Sequence, residues 1–439
     1  MIKSLTPKRF SENDFDFENR LKNLIEWSPA LDKNTSFLVR EIIDEVVNRG
    51  DNAVVELTCK HDGLDVNSIN ELSIDREQMK VHYDSIESSL RDALTESARR
   101  IESFHKQQKQ SSWQFEDEDG NLLGQNIRPI DRAGIYVPGG KASYPSSVLM
   151  NAIPAKVAGV NEIIMVSPAP YKFINSAVFA AAFIAGVDKA YLVGGAQAIA
   201  ALAYGTESIK KVDVIVGPGN KYVACAKKMV FGDVGIDMIA GPSEILVICD
   251  GRTNPDWIAM DLFSQAEHDE DAQAILISDD INFLNNVEES MNRLFSKMSR
   301  SEIIASSINN RSALIHVNKL ESAIKLSNII SPEHLELSIE NPEELLPDIK
   351  NAGAIFLGRY TPEAIGDYSA GPNHVLPTST SARFSSSLGV YNFQKRSSII
   401  KCNKNSVSKV GKLAAILARS EGLEAHAKSA EMRYKILKN

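Results

Sequence analysis

The sequence predicts an α/β fold with two doubly wound domains, and two observations support this prediction. Short apolar segments alternate with helical segments between residues 134 and 243, and a second alternating series begins at residue 244. Apolar strands that are separated by helices are typical of a parallel sheet covered on both faces. We therefore expect two Rossmann-like doubly wound α/β domains with small N-terminal and C-terminal helical appendages.

The segment before residue 134 predicts an arm, a set of helices and one strand. Residues 1–30 are polar and are expected to form an N-terminal arm. Apolar residues recur at a spacing of three to four in 37–47, which predicts a helix, and 93–105 predicts another. Residues 121–130 predict a strand with turns.

The first alternating series contains three strands and the helices that connect them. The apolar segments 162–167, 190–193 and 212–216 predict the strands. Helices are predicted at 175–185, at 197–203 and after Asn220, and Gly186 is a typical helix stop.

The second series has the same character. Strands are predicted at 244–249, 274–278, 312–317 and 354–357. Asn254-Pro255 combines an N-cap with a proline at the first helical position, which predicts a helix that runs to about His268. From residue 382 the chain is Ser-rich, and a helix is predicted from about Ser406 to Lys438.

These elements suggest a division of the chain into four parts. Residues 1–30 form the arm, and residues 31–133 plus 244–381 form a discontinuous first α/β domain. Residues 134–243 form a second, inserted α/β domain that carries candidate cofactor-binding loops. Residues 382–439 form a C-terminal tail with a helix.

The composition is that of a globular protein. The 439 residues are 43% apolar and 24% charged, which excludes a disordered chain and a disulfide-stapled miniprotein. A net charge of −9 without basic clusters argues against nucleic acid or an anionic membrane as the main partner.

Several features predict a cytoplasmic location. Cys59, Cys225, Cys249 and Cys402 have neither C-x-x-C nor zinc-finger spacing, as is typical of reduced cysteines in a cytosolic protein. The N-terminus has no apolar stretch, so we expect no secretory signal. The longest apolar stretch, 178–187, is too short to cross a bilayer.

Glycine-rich loops follow two of the predicted strands. The loops 194–197 and 217–220 both precede helices, whose N-termini suit phosphate or another anion. Neither loop has the G-x-G-x-x-G pattern, so tight-turn glycines are an alternative explanation. Two such loops at neighbouring strand ends would flank one ligand crevice. The loop 136–140 adds Tyr136, an aromatic residue that could stack on a flat ring.

Candidate metal and acid–base residues lie at the ends of predicted elements. Gln265 and His268 are three residues apart on one helix face. Glu333 and His334 place an acid beside a base after a proline, which suits general base chemistry or, alternatively, an exposed helix-capping turn. Asp367 lies in a Gly-rich loop and could bind a metal or cap a turn.

The C-terminal helix contributes two further candidates. Glu421 and His426 are five residues apart, so a break or bend is needed if both are to reach one site. Two neutral histidines, one carboxylate and an amide oxygen together make a plausible Zn²⁺ shell of nitrogen and oxygen ligands. The absence of sulfur from this set favours a catalytic or exchangeable zinc.

At these residues the chain resembles the histidinol dehydrogenase family. The resemblance rests on motifs that occur in family order across nearly the whole chain. They are Gly-Ile-Tyr-Val-Pro-Gly-Gly at 134–140, Val-Gly-Gly-Ala-Gln at 193–197, Val-Gly-Pro-Gly-Asn at 216–220, Ile-Asp-Met-Ile-Ala-Gly-Pro-Ser-Glu at 236–244, Leu-Phe-Ser-Gln-Ala-Glu-His at 262–268, Ser-Pro-Glu-His-Leu-Glu at 331–336 and Glu-Gly-Leu-Glu-Ala-His at 421–426.

The resemblance implies a zinc-dependent, NAD-linked enzyme of histidine biosynthesis. Such an enzyme oxidises L-histidinol to L-histidine through histidinaldehyde, reducing two NAD⁺. The implied acid–base pair is Glu333 and His334, and the implied NAD contacts are Tyr136, Gln197 and Asn220. The implied ligands of one zinc per subunit are Gln265, His268, Asp367 and His426. The implied substrate site comprises Ser243, Gln265, His268, His334, Asp367, Glu421 and His426.

The resemblance also implies a homodimer with a shared active site. The C-terminal tail would reach the partner subunit, so that Glu421 and His426 would come from the other chain, which removes the difficulty of their spacing. His334 would take the alcohol proton and Glu333 would activate water on the aldehyde. Zinc would orient the substrate through its imidazole and amine.

Two alternatives remain. A related zinc and NAD enzyme could oxidise another polar alcohol, such as a sulfonated diol, but a buried Glu421 favours a cationic substrate. A metal-binding protein that has lost catalysis is the second alternative, and the presence of both Glu333 and His334 argues against it.

Overall fold

A computed structural model describes residues 4–26, 33–139 and 144–435 of the chain. The described residues form two compact units. The first unit comprises the chain up to Gln108 together with Ile130–Phe393, and the second comprises Lys109–Pro129 and the chain from Gln394 onward.

The strands are short, as in most α/β proteins. In chain order they are β1 (Lys8–Ser11), β2 (Ser73–Asp75), β3 (Trp113–Glu116), β4 (Leu122–Pro129), β5 (Arg132–Tyr136), β6 (Glu162–Val166), β7 (Lys189–Tyr191), β8 (Val214–Val216), β9 (Gly235–Ile236), β10 (Glu244–Cys249), β11 (Gln273–Ser278), β12 (Ala313–His316), β13 (His334–Ser338), β14 (Ala354–Leu357) and β15 (Gln394–Lys401).

Helices connect most of these strands. In chain order they are α1 (Phe17–Ile25), α2 (Lys33–Arg49), α3 (Asp51–Asp62), α4 (Arg76–Ser85), α5 (Ser88–Lys106), α6 (Pro145–Ala158), α7 (Ser176–Ala185), α8 (Gly195–Tyr204), α9 (Lys221–Val230), α10 (Pro255–Ala266), α11 (Ile281–Leu294), α12 (Ser301–Arg311), α13 (Leu320–Ile330), the single turn α14 (Glu363–Ile365), α15 (Val407–Ser420) and α16 (Glu424–Lys435).

The first sheet of the first unit is parallel throughout, in the order β1-β12-β11-β10-β13-β14. Every residue of β10 and β11 is buried. Successive side chains of β10 point to opposite faces, so Ile245 and Val247 join the apolar cluster on one face while Leu246 and Ile248 join the cluster on the other. This is the parallel, doubly covered sheet that the second alternating series predicts.

The second sheet has the order β2-β7-β6-β5-β8-β9 and is parallel except for the antiparallel edge strand β2. Its buried cluster includes Val39, Ile43 and Val46 of α2. The helices α2 to α5 therefore pack with this second sheet, although the sequence placed residues 31–133 in the domain of the first sheet. Periodicity showed that α2 has an apolar face but could not show which sheet covers it.

The N-terminal segment is part of the first sheet and not a free arm. Within residues 4–26, β1 pairs in parallel with β12, from Lys8 beside Ala313 to Ser11 beside His316. Leu5 and Phe10 are buried in the apolar clusters of that sheet. Residues 1–3 and 27–30 of the predicted arm lie outside the described residues.

The second unit contains a three-stranded antiparallel sheet, β15-β4-β3, and the paired helices α15 and α16. The sequence predicted one helix from Ser406 to Lys438. The structure divides it at Gly422, which has a φ of +77° that favours glycine. Residues 436–438 of that predicted helix lie outside the described part.

Among the described residues, the helices are all too short or too polar to cross a bilayer.

Candidate active site

The candidate catalytic residues lie where two neighbouring strands of the first sheet begin. His334 is the first residue of β13 and lies in register with Ile245 of β10. Glu244 is the first residue of β10, and the half-buried Ser243 precedes it. Because adjacent parallel strands start at the same edge of a sheet, residues about 90 positions apart in the chain become neighbours.

A buried pair of carboxyl groups occupies this edge. The Glu244 backbone N–H donates a 2.8 Å hydrogen bond to Oε2 of Glu333, and the Ser379 N–H donates one of 2.5 Å to Oε1 of Glu244. Burial, reinforced by the nearby Glu333 carboxyl, raises the pKa of Glu244 to about 8. Burial also raises the pKa of Glu333 to about 7. Both groups therefore hold or share protons near neutral pH.

The hydrogen bonds of His334 determine which ring nitrogen can act as a base. Its Nδ1 lies 2.9 Å from the Glu244 backbone carbonyl oxygen, which can only accept. The side-chain nitrogen of Gln265 lies 3.1 Å from the same Nδ1. With the proton on Nδ1, the lone pair is on Nε2, and this atom has no hydrogen-bond partner in the described part of the chain. When the ring is neutral, Nε2 is therefore the basic nitrogen of His334.

Two carboxylates flank this Nε2. It lies 3.5 Å from Oδ1 of Asp367 and 3.7 Å from Oε1 of Glu363. Burial by itself lowers the pKa of His334, but the carboxylates of Glu363, Glu333 and Asp367 outweigh burial and hold the pKa well above its usual value. An imidazolium formed at Nε2 would therefore be stabilised in place.

The same side chains form a group with the composition of a metal site. One ligand atom each of His334, Glu363 and Asp367 lie within 4.8 Å of one another. Gln265, on α10, is fully buried, and its Oε1 has no hydrogen-bond partner among the described residues. His268 follows α10, and burial lowers its pKa while Asp367 opposes that effect. An unpartnered buried amide oxygen beside imidazole and carboxylate groups fits a Zn²⁺ shell of nitrogen and oxygen ligands.

Glu421 and His426 lie in the second unit. Both side chains are exposed, Glu421 at the end of α15 and His426 in α16. The break at Gly422 places them on separate helices, which is the break that their five-residue spacing requires. The first unit thus brings together Ser243, Gln265, His268, Glu333, His334 and Asp367, while these two residues belong to the second unit.

The glycine loops lie at the carboxyl ends of β5, β7 and β8 in the second sheet. β5 and β8 are neighbours, but β6 and β5 separate β7 from β8, so the loops 194–197 and 217–220 do not follow neighbouring strands as the sequence suggested. Tyr136 ends β5, Gln197 lies in the first turn of α8, and Asn220 caps α9. The Tyr136 hydroxyl accepts a 3.2 Å hydrogen bond from the Gly195 N–H. The tyrosine ring is buried, which raises the pKa of its hydroxyl to about 12 and covers the face that the sequence suggested for stacking.

Close backbone approaches explain two of the loop glycines. A Cβ on Gly217, whose φ is +107°, would lie 2.1 Å from the Tyr136 carbonyl oxygen. A Cβ on Gly194 would lie 2.5 Å from the Pro168 side chain. Asn220 is exposed, and its Oδ1 caps α9 by accepting hydrogen bonds from the N–H groups of Tyr222 and Val223. Gly140, the last residue of the first loop, lies outside the described residues.

Sequence reasoning missed three buried carboxyl groups at this site. They are Glu244, Glu336, whose Oε1 accepts a 2.5 Å hydrogen bond from the Glu363 N–H, and Glu363 itself. A signal for two of them was available, because Glu244 begins a strand whose other residues are all apolar and Glu336 lies between two leucines. Glu363 follows Pro362 in a short turn that has no sequence motif, and only its burial in the structure identifies it as a site residue.

Comparisons with known proteins agree with this geometry. Residues 28–434 match the protein family described as histidinol dehydrogenase. The histidinol dehydrogenase of Pseudomonas fluorescens (strain Pf0-1) is 59% identical over 428 residues, which cover 98% of this chain and 97% of that protein. That of Methylococcus capsulatus is 57% identical, with coverage of 97% and 98%.

A solved structure gives the same result. The crystal structure of histidinol dehydrogenase from Elizabethkingia anophelis has a TM-score of 0.93 and 34% sequence identity to this chain, and covers 99% of both chains. The α/β fold and the family resemblance expected from the motifs are thereby confirmed. Since the match extends over almost the whole chain in both sequence and structure, this protein belongs to the histidinol dehydrogenase family.

Proposed function

We propose that the protein is a zinc-dependent, NAD-linked oxidoreductase that converts L-histidinol to L-histidine. Two successive oxidations pass through histidinaldehyde and reduce two NAD⁺. Family membership supports the overall reaction. The observation that carries the assignment is the buried His334, whose free Nε2 faces two carboxylates while its Nδ1 is bound to the Glu244 carbonyl.

His334 serves as the base of the first oxidation. Its Nε2 accepts the proton of the substrate alcohol, and bound NAD⁺ takes the hydride. The Glu244 carbonyl keeps the other ring nitrogen protonated, so the neutral ring has its lone pair on Nε2. Glu363 and Asp367 then stabilise the positive charge on the ring.

Glu333 serves the second oxidation. A carboxyl group with a pKa of about 7 has the correct affinity to take a proton from water as it adds to the aldehyde. The Glu244 N–H holds Oε2 of this carboxyl at 2.8 Å and so fixes its orientation. The same strand pair thus positions both the base and the water-activating group.

Gln265, His268 and Asp367 would hold the zinc ion from the first unit, together with His426. A bound zinc ion supplies a Lewis acid that orients the imidazole and amine of the substrate. Glu421 offers a carboxylate to the cationic substrate, and Ser243 completes its binding site. Burial of Gln265 and the unpartnered state of its Oε1 support this ligand set.

We further propose a cytoplasmic homodimer with one zinc per subunit. In it the C-terminal tail supplies Glu421 and His426 to the site of the partner subunit. The exposure of both side chains within their own chain supports this arrangement. The four cysteines have neither C-x-x-C nor zinc-finger spacing, which is in keeping with a reducing compartment.

Tyr136, Gln197 and Asn220 would contact NAD. The loops of Gln197 and Asn220 lead into α8 and α9, whose N-terminal N–H groups suit the pyrophosphate of a dinucleotide. The alternative of an anionic sulfonated diol is not favoured, because the carboxylate of Asp367, which lies 3.5 Å from Nε2 of His334, would repel it.

An end-point titration tests the proposal. Zinc-loaded protein is mixed with excess NAD⁺ and limiting L-histidinol, and NADH absorbance is read to completion. Two NADH per histidinol are expected. One NADH would show that the aldehyde escapes and that the role of Glu333 is wrong, and none would overturn the substrate assignment.

Variants separate the two half-reactions. His334→Asn should lose histidinol oxidation, whereas Glu333→Gln should lose oxidation of supplied histidinaldehyde. His61→Asn is a matched control, since His61 is an exposed histidine outside the site. Full histidinol oxidation by His334→Asn, or full aldehyde oxidation by Glu333→Gln, would overturn the corresponding role.

A further inference from the structure

We infer that Lys227 and Asp237 form a buried ion pair that fixes the backbone of the loop 217–220 and thereby positions the loop for the nicotinamide dinucleotide. This inference rests on the proposed function, since it takes that loop to be part of the NAD site. Both residues are positioning residues, because they act through the loop backbone.

The pair is almost completely removed from solvent. The Lys227 side chain is 3% exposed and that of Asp237 is 1% exposed, and the two charged groups are in direct contact. Lysine is rarely buried in this way unless it is paired. A buried ion pair is weak support for stability, because desolvation offsets much of the attraction. The role of the pair therefore lies in the backbone groups that its two side chains bind.

Both polar groups of the Gly217 backbone are bound by this pair. Lys227 Nζ donates a 2.9 Å hydrogen bond to the Gly217 carbonyl oxygen. The Gly217 N–H donates one of 2.8 Å to Oδ2 of Asp237. Hydrogen bonds to charged groups are stronger than those between neutral groups, so the peptide groups on each side of Gly217 are held in one orientation.

Gly217, whose backbone the pair binds, is the residue of this loop at which both conformation and space are restricted. Gly217 directly follows β8, adopts a φ of +107° and leaves no room for a Cβ against the Tyr136 carbonyl oxygen. Three residues later Asn220 caps α9, and Lys227 lies on that same helix. Lys227 thus reaches back from the helix to the loop that begins it.

Asp237 connects the loop to a second part of the structure. It follows β9 in the chain, and its Oδ1 also accepts a 2.7 Å hydrogen bond from the Met238 N–H. The chain then continues to Ser243 and Glu244, at the edge of the first sheet where β10 and β13 begin. The pair therefore relates the cofactor loop to the segment that leads to the substrate site, and a displaced loop should weaken NAD binding before it affects substrate binding.

The test is an NAD⁺ titration of the full-length protein by calorimetry, with L-histidinol titrated separately. Lys227→Met alone leaves a buried, unpaired carboxylate and can fail to fold. The double variant K227M/D237N removes both charges and retains an amide oxygen for one backbone N–H. We expect the Kd for NAD⁺ to rise about tenfold or more in the double variant, with the Kd for histidinol within about twofold of the wild-type value.

A second ion pair provides a matched control. Arg359 and Asp250 form a largely buried pair at the opposite edge of the first sheet, with 17% and 11% of their side chains exposed. The variant R359M/D250N should lower the melting temperature without changing the Kd for NAD⁺.

Each outcome decides the inference. Wild-type NAD⁺ affinity in K227M/D237N would overturn it, and so would an equal loss of NAD⁺ and histidinol affinity, which indicates general structural damage. Because the readout is binding, failure of the wild-type protein to oxidise histidinol would count against the proposed function alone, and the NAD⁺ titration would still decide the role of the pair.

Discussion

Glu244→Gln is predicted to remove a pH dependence of folding stability. In the folded protein the pKa of Glu244 is raised from 4.5 to about 8, first by burial and then by Glu333. Between these two values the folded state keeps a proton that the unfolded state has released. The free energy of unfolding therefore falls as pH rises through this window.

The size of the effect follows from the shift. A difference of about 3.5 pKa units, at about 1.36 kcal/mol per unit, gives an upper value of roughly 5 kcal/mol lost between pH 4.5 and pH 8. Glutamine is neutral at every pH, and its side-chain oxygen can still accept the Ser379 N–H. We expect the variant to match the wild type near pH 5 and to exceed its stability by up to roughly 5 kcal/mol at pH 8.

Urea unfolding of chelator-treated protein at pH 5, 6.5 and 8, followed by tryptophan fluorescence, measures this difference. Glu289→Gln is the matched control, because Glu289 is exposed on α11 and undergoes the same chemical change without burial. If the wild-type and Glu244→Gln stabilities ran parallel from pH 5 to pH 8, Glu244 would not be held protonated by burial and the reasoning would fail.

Three further predictions concern the cofactor loop, the metal shell and the base. Gly217→Ala should lower the free energy of unfolding by about 2 kcal/mol or more and raise the KM for NAD, because its methyl group would meet the Tyr136 carbonyl oxygen. Urea unfolding and steady-state kinetics measure these two effects. Wild-type values of both would contradict this close approach. His268→Asn should lose zinc, measured as zinc per subunit by atomic absorption, and full occupancy would refute its role as a ligand. Glu363→Ala should lower kcat by about tenfold or more, because it removes a carboxylate beside Nε2 of His334; an unchanged kcat would show that Glu363 only fills space.

Local patterns predicted about half of the helices and strands. The predicted strand 244–249 is β10, the predicted helix from Asn254-Pro255 is α10, and the predicted helix 175–185 is α7 with Asn175 as its N-cap. These succeeded because an apolar run, a capping residue and a terminating glycine act on residues close in the chain. β1 and β13 were missed, because β1 is a short edge strand in a polar segment and a catalytic motif obscured the start of β13.

The candidate site was predicted residue by residue from motifs, but its chemistry was not. Glu333 and His334 were chosen as adjacent acid and base. Their behaviour depends on Glu244, which is far away in the sequence and supplies the carbonyl that binds Nδ1 and the N–H that binds Glu333. A pKa shift depends on how much solvent the fold removes, and spacing in the chain does not report that.

The sequence by itself determined the α/β class and the family, because local periodicity indicates the first and ordered motifs indicate the second. Only the tertiary structure decided that the N-terminal segment completes the first sheet, that α2 to α5 cover the second, and that Glu244 and Glu363 lie beside His334. Strand order and burial arise from long-range packing, in which many apolar surfaces compete for the same partners. A local pattern specifies that the apolar face of a helix or strand must be buried. The whole fold determines which sheet or helix covers that face.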